Sequence, residues 1–112
     1  MTDWQDLRDA FVDLSEHPHF RIYAREMQEL IAVLQDDPAL TDAEVTADYL
    51  YVTITLPDCD GSIIIHNKRA GRFVVELYRG EWGEHYVDGE SNVSIEVVGR
   101  LIPQYLNRMA QM

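Results

Sequence analysis

Apolar and polar positions recur with two different periods along this chain, and the change of period divides it into a helical start, a stranded middle and a helical end. In residues 3–16, Trp4, Leu7, Phe11 and Leu14 are spaced by three and four, which gathers them on one face of a helix. Thr2 or Asp3 can cap its start, and Asp3 and Asp6 suit the positive end of the helix dipole. Pro18 cannot continue this helix, because it lacks an N–H and clashes with the preceding turn, but it can open a new one at the first turn. Residues 18–36 carry a second stripe of Phe20, Tyr23, Met27, Leu30, Ile31 and Leu34. Together the two stripes predict a broken or kinked helix pair that ends before Asp36-Asp37-Pro38.

The period then falls to two. Leu50, Val52, Ile54 and Leu56 alternate with Tyr49, Tyr51, Thr53 and Thr55, a β-branched and aromatic alternation that predicts a strand. Pro57-Asp58-Cys59-Asp60-Gly61 reads as a turn, with Asp60-Gly61 a strong hairpin signal. Residues 62–66 form the next strand, Asn67-Lys68-Arg69-Ala70-Gly71 turns again, and residues 72–78 form the third. A turn at Arg79-Gly80-Glu81-Trp82-Gly83 leads to a short fourth strand through His85, Tyr86 and Val87. Connections this short imply an antiparallel meander. Its inward set is Leu50, Val52, Ile54, Leu56, Ile63, Ile65, Phe73, Val75 and Leu77. The other face carries Tyr49, Tyr51, Thr53, Thr55, Val74, Glu76 and Tyr78, with Ile64 and His66 from the second strand.

After Asp88-Gly89-Glu90, the residues Val93, Val97, Leu101 and Tyr105 are spaced by four, with Val98, Ile102, Leu106 and Met109 beside them. This predicts a closing helix capped at Ser91 or Asn92. Residues 93–97 can instead be read as a strand. Gly99 and Pro103 weaken the helix, and Pro103 removes the bond to the carbonyl of Gly99, so a kink is expected there. The fold class is therefore α+β in one domain spanning 1–112. An N-terminal helix or broken helix pair, a four-stranded antiparallel meander and a C-terminal helix follow in order, with the helices packed on one sheet face.

Composition narrows the function. The 112 residues hold 20 Asp+Glu against 9 Lys+Arg, for a net charge of −11. A chain of this length buries roughly 65% of its unfolded surface, and a 46% hydrophobic share argues against disorder. Direct nucleic-acid binding is disfavoured, because its affinity comes largely from Lys and Arg on phosphates. An anionic membrane surface is disfavoured for the same reason. No apolar run approaches the ~20 residues of a membrane span, no signal peptide opens the chain, and one cysteine excludes an intrachain disulfide framework. The expected location is cytoplasmic.

The charge is unevenly placed. Residues 1–60 hold 14 acidic side chains and three basic ones, whereas residues 61–112 hold six of each. Such asymmetry points to a partner of opposite sign. Within the first helix, Asp3, Asp6, Asp9, Asp13 and Glu16 project to an arc centred roughly 140° from the apolar stripe, taking ~100° per residue. Carboxylates at these spacings repel, and a basic partner would relieve that repulsion and be steered in quickly. An acidic face can also serve solubility alone. On the sheet, the outer positions Tyr49, Tyr51, Val74 and Tyr78 are apolar enough to mark a partner or dimer contact, although Tyr–Thr cross-strand pairing also stabilises any sheet. Trp82, at a hairpin tip, either folds back on the sheet or stands out as an anchor.

Candidate chemistry is sparse. Cys59 lies between Asp58 and Asp60, whereas reactive cysteines sit in electropositive settings. Asp58-x-Asp60-Gly61 resembles part of a calcium loop, but position twelve is Arg69 where a Glu is needed. His17-Pro18-His19 has no companion pair at metal-binding spacing. His66 and His85 can neighbour each other near Glu76 or Glu84, an acid–base candidate only inside a pocket. Gly80-Glu81-Trp82-Gly83 lies between strands and carries a carboxylate where a phosphate would sit. No catalytic residue, metal or cofactor is implied. The expected function is non-enzymatic: a small acidic module of the inhibitor or immunity (antidote) type, masking the basic surface of a protein partner such as a toxin or nucleic-acid-binding protein. The alternative is a regulatory or chaperone-like module that homodimerises through its outer sheet face.

Overall fold

The computed structural model describes residues 2–48, 51–68, 70–80 and 83–111. Helix α1 spans Trp4–Ser15 and α2 spans Arg21–Gln35, followed by a 3-10 turn at Pro38–Leu40. Five strands come next: β1 Glu44–Ala47, β2 Tyr51–Thr55, β3 Gly61–Asn67, β4 Phe73–Arg79 and β5 His85–Val93. Helix α3, Ile95–Ala110, closes the described chain. The strands form one antiparallel sheet in the order β1-β2-β3-β4-β5, so each strand pairs with its chain neighbour, as short connections require.

The class is α+β as expected, but the sheet has five strands and not four. The additional strand is β1. Only Val45 on it is fully buried, so it carries too little apolar alternation to be read from sequence. It is an edge strand, and its outer backbone is tied to the start of the chain. Thr2 Oγ1 donates to the Ala43 carbonyl at 3.2 Å and accepts from the Val45 N–H at 2.9 Å. That satisfies part of an edge otherwise open to pairing with another chain.

The fourth expected strand, residues 85–87, is in fact the beginning of a nine-residue β5. Its later residues look like a turn by composition, yet tertiary contacts hold them extended. Gly89 faces Glu76 across the ladder, and a Cβ placed there would lie 2.8 Å from Tyr86 Oη and 2.9 Å from the Val75 carbonyl oxygen. Asn92 adopts a positive φ of 57° beside a register shift between Phe73 and Val75, a bulge conformation that Asn tolerates well. The helix cap consequently moves to Ser94, whose Oγ accepts from the Val97 N–H at 3.4 Å. Of residues 93–97, Val93 ends the strand and the helix begins at Ile95. Helix α3 runs unbroken through the exposed Pro103.

The helices lie on one sheet face. Val52, Ile54, Ile63, Ile65, Phe73, Val75 and Leu77 are buried beneath them, matching the inward set, with Leu56 packed at its margin. Leu50 lies outside the described residues. Met27, Leu30, Ile31 and Leu34 of α2, and Val98, Leu101, Ile102, Tyr105 and Met109 of α3, complete one continuous core. Helix α1 adds Leu7 and Phe11, with Trp4 and Leu14 half-buried. Pro18 does not open α2: it sits in the turn between the helices, and α2 starts three residues later at Arg21. Phe20, expected in the apolar stripe, is 50% exposed at the N-cap of α2. No described helix is long and apolar enough to cross a membrane.

Candidate functional site

Two surfaces collect the residues singled out from sequence, and they belong to different layers of the molecule. The first is the acid face of α1. Asp3 ends the extended entry and caps the helix, its Oδ1 accepting from the Asp6 N–H at 3.1 Å. Asp6, Asp9, Asp13 and Glu16 follow along the solvent side, and all five carboxylates are exposed. The charge and the hydrogen bond of Asp3 raise the carboxyl of Asp6 above the ordinary carboxylate range, and Asp9 adds to this. Gln5 Nε2 donates to Asp9 Oδ1 at 2.8 Å. Among the described residues the ion pairs are His66–Glu76 and Asp88–Arg108, so none of these five carboxylates has a cationic partner there.

Alongside the last turns of α1 runs a groove of about 1090 Å³. Ala10 and Leu14 of α1, Tyr23 of α2 and Ala70 of the β3–β4 turn give it apolar walls. Phe20 and Ile22, 50% and 72% exposed, stand at its mouth. Asp13 belongs both to the acid face and to this lining, which also holds Glu26, His17 and His19. Glu26 Oε1 accepts from the Gly71 N–H at 2.7 Å, which ties α2 to the β3–β4 turn. Glu26 Oε2 is sealed from water and has no hydrogen-bond partner among the described residues. The Tyr23 phenol is pushed up, first by burial and then by the charge of Asp48. The sequence left a trace of this groove in Phe20 and Ile22, adjacent to a proline break, but period analysis assigns Phe20 to the core stripe.

The second surface is the sheet face turned away from the helices. Tyr51, Val74 and Tyr78 share it, as expected, each half-buried; Tyr49 and Trp82 lie outside the described residues. Tyr51 stands opposite His66, with ring centroids 5.7 Å apart. Tyr78 stands opposite Tyr86 at 5.8 Å, edge to face, a favoured geometry for aromatic pairs. Ile64 sits opposite Glu76 and Thr53. Glu76 is the polar centre of the face. Its Oε1 lies 3.2 Å from His66 Nε2. Burial first, and then the Glu76 carboxylate, push the Tyr78 phenol up.

His66 lies on β3, His85 at the start of β5 and Cys59 in the β2–β3 turn. His66 and His85 are not neighbours, because β4 lies between their strands. His66 and Glu76 form a diagonal cross-strand contact on an open face, with side chains 29% and 23% exposed. Among the described residues no group of three or more His, Cys, Asp or Glu could hold a metal ion. Cys59 is a free, half-buried thiol in the β2–β3 turn. Comparison with protein-family models, with curated proteins and with solved structures finds no match for this chain.

Proposed function

We propose that this protein is a small acidic protein-binding module without chemistry of its own, of the inhibitor or immunity (antidote) type, that covers a basic surface on its partner through α1. One observation carries the reading: five exposed carboxylates line one helix face, and none has a cationic partner among the described residues. Mutual repulsion raises Asp6, and an approaching basic surface removes that repulsion. Attraction of this kind acts chiefly on the association rate and fades with salt.

The test reverses the face. Asp6→Lys, Asp9→Lys and Asp13→Lys together should leave the circular-dichroism spectrum unchanged, because all three positions are solvent-exposed. Affinity capture of the partner by the native chain should weaken by about tenfold or more on adding salt, and the reversed chain should lose the partner. Capture indifferent to both salt and reversal overturns the reading.

A second reading is a homodimer formed through the outer sheet face. It is supported by Tyr51, Ile64, Val74, Tyr78 and Tyr86, which no helix covers.

A further inference from the structure

The groove beside the acid face has a composition that folding does not account for. Phe20 occupies the N-cap of α2, where Ser, Thr, Asp or Asn would satisfy free amides, and no side chain caps that helix. Ile22 follows in the first turn, mostly exposed. Neither side chain caps the helix, and half or more of each stays exposed. Among the described residues the groove lining contributes two carboxylates, Asp13 and Glu26, and no lysine or arginine.

An apolar channel between two helices with a negative rim is the complement of a basic amphipathic helix. Size agrees. At about 1090 Å³ the groove slightly exceeds the ~300–1,000 Å³ typical of ligand sites, which suits a row of side chains better than a single one. We propose that this groove seats the apolar face of a basic amphipathic helix of the partner, with a Lys or Arg of that helix pairing with the exposed Asp13 at the rim. This rests on the reading of α1 as the partner-binding face and adds where the partner's anchors go. Asp13 joins the two, so charge steering and apolar anchoring act on one continuous surface.

The probe is a fluorescein-labelled helical peptide with Leu at i, i+3, i+4 and i+7 and Lys elsewhere. A second peptide replaces Leu by Ser, and a third replaces Lys by Glu. Fluorescence anisotropy should show the Leu/Lys peptide binding about tenfold or more tighter than either control. Its binding should shift the amide resonances of Ala10, Leu14 and Tyr23. Phe20→Ser with Ile22→Ser should cost about tenfold in affinity at unchanged melting temperature, since both side chains are exposed. The resonance shifts keep the test sound should that variant fold poorly. Shifts centred on the outer sheet face, or unchanged affinity in the Phe20 and Ile22 variant, overturn the groove. If the peptide is then still lost on reversing Asp6, Asp9 and Asp13, the acid-face reading stands and only the groove falls. If binding ignores the reversal as well, both fall.

Discussion

Asp88 illustrates how much a single charged residue of this chain depends on its neighbour. It lies on β5 and accepts from Arg108 of α3, with Nη1 to Oδ2 at 2.6 Å. The hydrogen bond from Arg108, followed by the Gly89 N–H, holds its carboxyl below the ordinary range. A carboxyl depressed by folding stabilises the native state above its unfolded value of about 3.9, and that contribution disappears as pH falls through the folded value. Both side chains are about half exposed, so solvent screening keeps the pair small. Asp88→Asn should cost about 0.5 kcal/mol at pH 7, and the gap between variant and native chain should narrow as acid protonates Asp88. Urea unfolding at pH 7 and along an acid series checks this. The α1 carboxylates are the converse case. Asp6 is raised by its neighbour Asp3, and both residues and their spacing were plain in the sequence. Neither Asp88's partner nor the donor-poor oxygen of Glu26 could be read there, because each depends on residues 20 and 45 positions away.

At the scale of elements, the long apolar periods were legible and the weak or interrupted ones were not. The inward set of β2 to β4 followed from alternation, since a period of two decides the face once any member is buried. Helix α3 was legible from its four-residue spacing despite Pro103. Strand β1 escaped because an edge strand is held mainly by backbone pairing. Most of β5 escaped because Gly89 and Asn92 usually mark turns. Two glycines therefore behave in opposite ways. Gly89→Ala pushes a Cβ against the Val75 carbonyl, which cannot swing aside, and should cost about 1–3 kcal/mol. Gly99→Ala has Val33 Cγ1 at 3.9 Å as its nearest neighbour and should stabilise α3 by about 0.5–1 kcal/mol. Thermal unfolding of both variants gives the sign directly; a drop for both would mean that the spacing around Gly99 has no slack.

For the whole molecule, layering decides which surfaces can act together. The helices cover one sheet face and leave the other open, so the acid face of α1 and the tyrosines of the outer face sit in different layers. On the proposed reading, the anchor for a partner drawn to α1 belongs in the helical layer, at Phe20 and Ile22, and a second copy would use the outer face. The homodimer reading expects a native dimer by analytical ultracentrifugation that Tyr78→Asp converts to monomer. A native chain that sediments as a monomer at every concentration removes it. Charge has the same logic at this scale: −11 over 112 residues keeps copies apart in general, so a dimer would have to form through a face poor in carboxylates, and Glu76 on the outer face is already engaged with His66.

The sequence alone determined the α+β class, the period and inner face of three strands, the apolar stripes of the helices and the acid stripe of α1. These depend on neighbours within a few residues along one element, and a helix or strand presents such neighbours at fixed angles. Tertiary structure alone decided the fifth strand, the length of β5, the exposure of Phe20 and the groove that joins Asp13 to Glu26. Those depend on side chains and backbone groups brought together across the fold, where burial and close approach override local preference.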